Sequence, residues 1–287
     1  YAIKQLFQLF PQFKFQLFYF DKTTFYKIFS FSIFVFFSSI TSLIIYQTDT
    51  IVIAAFASAA LVTYYSIALA LTNQMRFINS ILGGPIFFAI AHLAGLDDRE
   101  KNRFMLFKGT KLMSALFTPI ILITIIFCEL FISNWLGPKF LLSVLPARIL
   151  MLYWLVNGHL ETVSGFLTAK GYVKIFFYIN LGNAVLNLGL SIFLVKAIGI
   201  VGVALGTCIP MILTGIITLF ICLDKTKVSL KEFFEHALLK NLIFYFIPGI
   251  LSLIAIRYLP PTNILLTLIY MGVIFGVSEL FYYFLFM

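Results

Sequence analysis

The sequence predicts an all-α polytopic membrane protein with eight transmembrane helices. Of its 287 residues, 62% are hydrophobic and only 11% are charged, whereas soluble domains are about half apolar and about a quarter charged. Its mean hydropathy is +1.05, and its apolar runs reach the roughly 20 residues that a helix needs to cross a bilayer. The alternation typical of barrel strands is missing, which favours helices.

Eight apolar segments follow one another, and each is predicted to form one transmembrane helix. Several exceed the minimum length, which implies tilt or extension into water. Their predicted ranges are 26–56, 60–95, 104–134, 140–169, 173–195, 199–222, 238–257 and 263–286.

The predicted domain organisation follows from the polar stretches between these segments. Residues 1–25 mix lysine and glutamine with many phenylalanines, so we expect a cytoplasmic or interfacial linker. A six-helix lobe follows at 26–223, a cytoplasmic loop at 224–237 and two additional helices at 238–287. The chain begins with Tyr1 rather than Met and carries no recognisable signal peptide, so we interpret it as a piece of a longer protein.

The positive charge of the chain is predicted to set its orientation. Of the 20 lysines and arginines, 15 fall on one side of the predicted spans and 3 on the other. The positive-inside rule makes the richer side cytoplasmic, so both termini are expected there. Anionic lipid headgroups are a sufficient partner for this excess, and no nucleic-acid partner is expected.

Several ionisable residues lie inside predicted spans, where such a group is unfavourable unless it faces a bundle interior or water. Asp49 and Arg148 are expected at a similar outer depth, with Arg76 deeper by about 8–10 Å. Opposite charges at one depth can pair, so we expect Asp49 to pair with Arg148 or, failing that, Arg76. Such a pair is either purely structural or part of a cationic cavity that binds an anion.

Polar residues at helical spacing indicate where such a cavity would lie. One predicted stripe contains Asn157 and Glu161, a second contains Arg76, and a third contains Asn180, Asn183 and Asn187. A single stripe is typical of helices joined by hydrogen bonds. Three stripes with two arginines favour a hydrated cavity between the helices.

The sequence contains no catalytic or metal-binding pattern, so we expect neither an enzyme nor a cofactor. The three histidines have no Cys, Asp or Glu at metal-ligand spacing. The cysteines lie in apolar runs, where small-residue packing is their expected role.

Three stretches resemble the second half of bacterial polysaccharide flippases, the O-antigen and capsule exporters of the MATE-like MOP superfamily. These are YQTDTIVIAAF, NWLGPKF and the long run from GFLTAKGYVKIFFYINLG to GIVGVALGT. The resemblance covers about residues 26–223. It implies a six-helix MATE-like lobe, two extra helices and an absent N-terminal lobe that completes the transport cavity.

The resemblance also implies a function in the bacterial inner membrane. The substrate would be an undecaprenyl-diphosphate-linked oligosaccharide, moved from the cytoplasmic to the periplasmic leaflet for lipopolysaccharide or capsule synthesis. Arginine suits the diphosphate, because its planar fork binds phosphate in a bidentate manner. Amides and hydroxyls suit the sugars, and Asp49 would either orient an arginine or couple ion binding to transport.

Three alternatives stay open from the sequence. A MATE drug exporter or lipid II flippase would have the same fold, although Arg76 and Arg148 disfavour a cationic cargo. An enzyme of polysaccharide assembly would require a large outer loop or an acidic catalytic motif. A membrane subunit without transport activity would need neither.

Overall fold

The computed structural model describes residues 21–94 and 99–286, and its regular elements are all helical over these ranges. The predicted linker lies outside them up to residue 20. The α-helices of the described residues are α1 Lys22–Phe56, α2 Ala59–Ala94, α3 Arg99–Leu136, α4 Val144–Asn157, α5 Glu161–Ala169, α6 Val173–Thr226, α7 Leu230–Phe233, α8 Lys240–Tyr258 and α9 Ile264–Phe286.

The predicted all-α class is confirmed, and several helices can cross a membrane. By length and composition, five segments of the described chain qualify: Lys22–Phe56, Glu100–Leu136, Pro138–Ala169, Val173–Thr226 and Ile264–Phe284. Helix α8 contains a shorter apolar segment, Phe246–Tyr258. The count of eight crossings and the MATE-like lobe stay predictions.

Helix α6 turns back on itself at a break that the sequence predicts as the gap between two spans. Ile198 and Gly199 leave helical geometry, and Gly199 has φ +62° and ψ −140°, which glycine adopts without steric strain. The halves 173–197 and 200–226 then pack closely through two glycines. A Cβ on Gly206 would lie 2.5 Å from the Ser191 Oγ, and one on Gly202 would overlap the Leu194 carbonyl.

The break in α6 lets both its halves contribute to the main core. Helix α1 packs extensively on α6, and α4 also packs on it. The largest apolar cluster includes Ile53, Tyr65, Ala147 and Val203, none of which is accessible to solvent. This core therefore places the C-terminal half of α1 directly against α6.

Helices α8 and α9 pack on each other and on α3. Ile123 and Phe127 of α3 form a small core with Ile274 of α9. Asn134 near the end of α3 donates to the Thr267 hydroxyl of α9 at 3.1 Å. These contacts attach the last two helices to the rest through α3, while the predicted domain boundaries stay a prediction.

The predicted fourth span, 140–169, is interrupted in the middle. A 3₁₀ turn, Gly158–Leu160, separates α4 from α5, and the Asn79 amide donates to the Gly158 carbonyl at 2.7 Å. A 3₁₀ turn advances about 120° per residue rather than about 100°. The expectation of one continuous polar face through Asn157 and Glu161 is therefore wrong, because it assumed an unbroken α-helix.

Candidate functional site

A buried hydrogen-bonded network surrounds Asp49, which is 1% exposed. The Tyr65 hydroxyl donates to Asp49 Oδ2 at 2.5 Å, and the Thr207 hydroxyl donates to the same oxygen at 2.8 Å. Thr207 in turn accepts from the Asn187 amide at 2.8 Å. The network therefore joins α1, α2 and both halves of α6 through four buried side chains.

The hairpin geometry of α6 explains why these groups meet. Asn183 and Asn187 lie on the first half, whereas Thr207 and Met211 lie on the second. Both pairs have the four-residue spacing that places side chains on one helix face. Because the halves are antiparallel, Asn187 meets Thr207, and the Asn183 amide contacts the Met211 sulfur at 3.5 Å.

The fourth predicted asparagine also joins this region. The Asn157 amide donates to the Met211 carbonyl at 2.7 Å. Its side-chain oxygen lies so close to Gly215 that a Cβ there would overlap it. The side-chain oxygens of Asn157 and Asn183 have no hydrogen-bond partner within the described residues. Three of the predicted asparagines thus lie around one stretch of α6.

The electrostatics of the network depend on the Asp49 carboxylate, which no cation among the described residues neutralises. The donors to Asp49 are neutral hydroxyls, and its Oδ1 has no partner within the described chain. A buried unpaired charge is strongly unfavourable in an apolar interior. The site therefore favours a bound proton or another small cation on Asp49.

The expected ion pair between Asp49 and Arg148 is wrong. The Arg148 guanidinium lies 3.5 Å from the Glu129 carboxylate, and its Nε donates to the Ile125 carbonyl at 3.2 Å. The Arg148 side chain is 37% exposed. The predicted common depth came from the position of each residue along its helix. That position gives the depth of a residue in the membrane but not the direction in which its side chain points. Arg148 faces α3, whereas Asp49 faces α2 and α6.

Arg76 lies apart from Asp49, on an exposed face of α2. Its guanidinium is 4.5 Å from the centre of the Tyr46 ring, a cation–π contact that holds a positive group without neutralising it. Within residues 21–94 and 99–286, Arg76 forms no ion pair. The guanidinium edge is therefore available to an anion.

The two remaining predicted residues are more accessible than the asparagine cluster. Glu161 begins α5 and is exposed, with its Cγ 3.0 Å from the position that a Cβ on Gly83 of α2 would occupy. Asn180 is partly exposed on α6. Neither contacts Arg76 or Asp49 through a hydrogen bond within the described residues, so the predicted set divides into a buried and an accessible group.

Sequence reasoning missed Tyr65, Thr207 and Tyr46, which complete the contacts of Asp49 and Arg76. Tyr65 and Tyr46 stand among many aromatic residues in apolar runs, where the pattern gives no sign of a polar role. Thr207 follows the glycine run 199–206. Pairing the two halves of an antiparallel hairpin across Gly199 would have placed Thr207 opposite Asn187.

Comparison with known proteins gives a family relationship for part of the chain. Residues 6–145, just under half of the chain, match the profile of a family described as polysaccharide biosynthesis protein. A segment of 85 residues is 40% identical to an uncharacterized membrane protein of Methanocaldococcus jannaschii. It covers 30% of this chain and 20% of that relative. Together with the apolar helices, these matches support a multi-pass membrane protein whose residues 6–145 are similar to polysaccharide biosynthesis proteins.

Proposed function

We propose that this protein forms part of a flippase for a polyprenyl-diphosphate-linked oligosaccharide. The substrate moves from the cytoplasmic leaflet to the outer leaflet, where surface polysaccharide is assembled. The resemblance to bacterial exporters implies the undecaprenyl form and the bacterial inner membrane. Support comes from the match of residues 6–145 to polysaccharide biosynthesis proteins and from the spanning helices.

The observation that carries the substrate assignment is the environment of Arg76. An exposed arginine well inside an apolar helix, with its guanidinium over the Tyr46 ring and no carboxylate partner among the described residues, suits an anionic ligand. A diphosphate can accept two parallel hydrogen bonds from the guanidinium edge. The Tyr46 ring contacts the guanidinium without neutralising it, so Arg76 is the residue that we assign to the diphosphate.

The other accessible polar groups suit the sugars. Glu161 and Asn180 can exchange hydrogen bonds with sugar hydroxyls while the polyprenyl tail remains in the bilayer. Arg148 is less suited than Arg76 to bind the diphosphate, because it already pairs with Glu129. A second lobe of the kind that the resemblance implies would close the cavity from the opposite side.

The network around Asp49 has a separate role in this proposal, which is cation coupling. The network joins α1, α2 and both halves of α6, and within the described residues the Asp49 carboxylate accepts hydrogen bonds from neutral groups alone. Binding of a proton or sodium ion removes the uncompensated charge and stabilises this packing. Loss of the cation loosens the same helices, so occupancy of one site biases the conformation of four helical segments.

The test is a gene deletion followed by complementation with variants at Arg76. Deletion should make the lipid-linked oligosaccharide accumulate and should lower surface polysaccharide. Wild-type protein should restore both, Arg76→Ala should restore neither, and Arg76→Lys should restore them only partly, because lysine keeps the charge but loses the planar fork.

Arg257→Ala is the matched control, since Arg257 is an exposed arginine near the end of α8. Protein level in the membrane is measured for every variant. Full surface polysaccharide with Arg76→Ala, at a normal protein level, would reject the assignment of Arg76.

A further inference from the structure

A polar cavity of about 350 Å³ lies at the end of the helices where the basic residues concentrate. It is distant in the fold from the Asp49 network, because its lining comes from the start of α3, the turn after α5 and the end of α6. The lining includes Asn102, Arg103, Lys170, Tyr172, Lys225 and Thr226. The volume is several times that of a water molecule, which takes about 30 Å³ in the liquid.

Asn102 is the most informative residue of this lining. It is 9% exposed, and its side-chain amide makes no hydrogen bond with the described residues. The amide nitrogen and oxygen are accessible from the cavity rather than sealed in the interior, so a ligand in the cavity can form hydrogen bonds with them in place of water. The Asn102 amide can supply two N–H donors to such a ligand.

The charged side chains of the described lining are all cationic: Arg103, Lys170 and Lys225. Arg103 pairs with Glu232 of α7, and Lys225 lies 3.8 Å from Asp224. Neither carboxylate belongs to that lining. The Lys225 ammonium also lies 5.6 Å from the centre of the Tyr172 ring, and Tyr172 is another residue of the lining.

We propose that this cavity binds a phosphate-bearing anion. Arg103 and Lys225 supply charge-assisted hydrogen bonds from two different helices, and the Asn102 amide adds neutral donors. The sequence predicts that this end of the helices faces the cytoplasm, where both soluble phosphates and lipid phosphate headgroups are present. The proposal does not depend on transport activity and is tested by binding alone.

The test uses the purified 287-residue chain in nanodiscs of neutral phosphatidylcholine. One arm measures the affinity for inorganic pyrophosphate by calorimetry. The second arm replaces part of the lipid by phosphatidic acid and counts retained phosphatidic acid by native mass spectrometry. A soluble anion should register in the first arm, whereas a lipid headgroup should register only in the second.

Lys225→Gln and Lys227→Gln form a matched pair for both arms. Both ammonium groups lie within 4 Å of the Asp224 carboxylate, at and just after the end of α6, but of the two only Lys225 lines the cavity. Lys225→Gln should weaken binding about tenfold through the loss of one charge-assisted bond. Lys227→Gln should leave binding within about twofold, as expected for an exposed surface charge.

Asn102→Leu is the second test variant, because it keeps the volume and removes the unpartnered amide. It should also weaken binding, and it decides the test if Lys225→Gln fails to give monodisperse protein. Equal binding by wild type and both test variants would overturn the proposal. An equal loss with Lys227→Gln would overturn it as well, since it would show only nonspecific attraction to positive charge.

Discussion

Thr207 and Asp49 are joined by a 2.8 Å hydrogen bond although 158 residues of sequence separate them. The same Thr207 hydroxyl accepts from Asn187, so one small side chain connects α1 with both halves of α6. A contact that links three helical segments is sensitive to the protonation and hydrogen bonding of each member. The first three predictions concern this relationship.

Asp49→Asn should abolish the response of the protein to its coupling cation while preserving its fold. Asparagine keeps an oxygen that accepts from Tyr65 and Thr207, but it removes the buried charge. We expect the wild-type melting temperature to rise with sodium or with falling pH, and that of Asp49→Asn to be unchanged. Glu129→Gln, which alters a 59% exposed carboxylate, should respond as wild type does; a retained response in Asp49→Asn would reject the coupling role.

Thr207→Val should lower the free energy of unfolding by about 2 kcal/mol. Valine has nearly the same shape, but it leaves the Asn187 amide without its acceptor and Asp49 with one donor fewer. A buried polar group that loses its partner is destabilising by about 1–3 kcal/mol. Thr218→Val is the control, since Thr218 is also buried but donates to Thr214 of its own helix; equal losses would contradict the prediction.

Double-mutant cycles should show that Asp49 and Arg148 make independent contributions to the free energy of unfolding. The effects of Asp49→Asn and Arg148→Gln on unfolding should add to within about 0.5 kcal/mol, because the two residues have different partners. Asp49→Asn and Thr207→Val share a hydrogen bond and should deviate from additivity by more than that. A coupling free energy between Asp49 and Arg148 as large as that between Asp49 and Thr207 would contradict the structure and support a direct ion pair.

Gly206→Ala should separate the two halves of α6. The new Cβ would lie 2.5 Å from Ser191 Oγ and 2.7 Å from its backbone nitrogen, and overpacking of this kind is destabilising by about 1–3 kcal/mol. Gly189→Ala in the same helix meets no atom within 4 Å, so it should be neutral or slightly stabilising. Unfolding of both variants in detergent checks the contrast, and equal stability would contradict the close packing at Gly206.

Cysteine labelling should establish the orientation that the basic residues predict. Lys231→Cys is expected on the cytoplasmic side and Lys139→Cys on the outer side, and both positions are exposed. The native Cys128, Cys208 and Cys222 are buried, which keeps the background low. In intact cells, an impermeant thiol reagent should label only Lys139→Cys; labelling of Lys231→Cys without permeabilisation would reverse the topology.

The sequence predicted helices and their approximate limits well, because apolar runs and glycine or proline boundaries are local signals. The span predicted at 26–56 corresponds to α1, Lys22–Phe56, and the gap predicted between residues 195 and 199 contains the break at Ile198–Gly199. The 3₁₀ turn at Gly158 was missed, since it depends on a tertiary hydrogen bond from Asn79 and on the Phe117 ring beside the glycine.

Partners across helices were predicted less well than helices. Asp49 was correctly identified as buried, but its partners are the hydroxyls of Tyr65 and Thr207 rather than an arginine. Helix rise gives the depth of a residue, whereas the direction of its side chain depends on how each helix rotates in the packed structure. The spacing of Asn183 and Asn187 did indicate a shared direction, because both side chains face the second half of α6 in the antiparallel hairpin.

The abrupt reversal at Ile198–Gly199 also has a consequence for how the chain enters the bilayer during synthesis. The connection between the two halves of α6 contains very little charge, because Lys196 is the only charged residue between Lys174 and Asp224. Translocating one lysine is far less demanding than translocating a polar loop. We therefore expect the insertion machinery to receive residues 173–226 as a preformed helical pair in a single step, with Gly202 and Gly206 allowing the two halves to associate before they leave it.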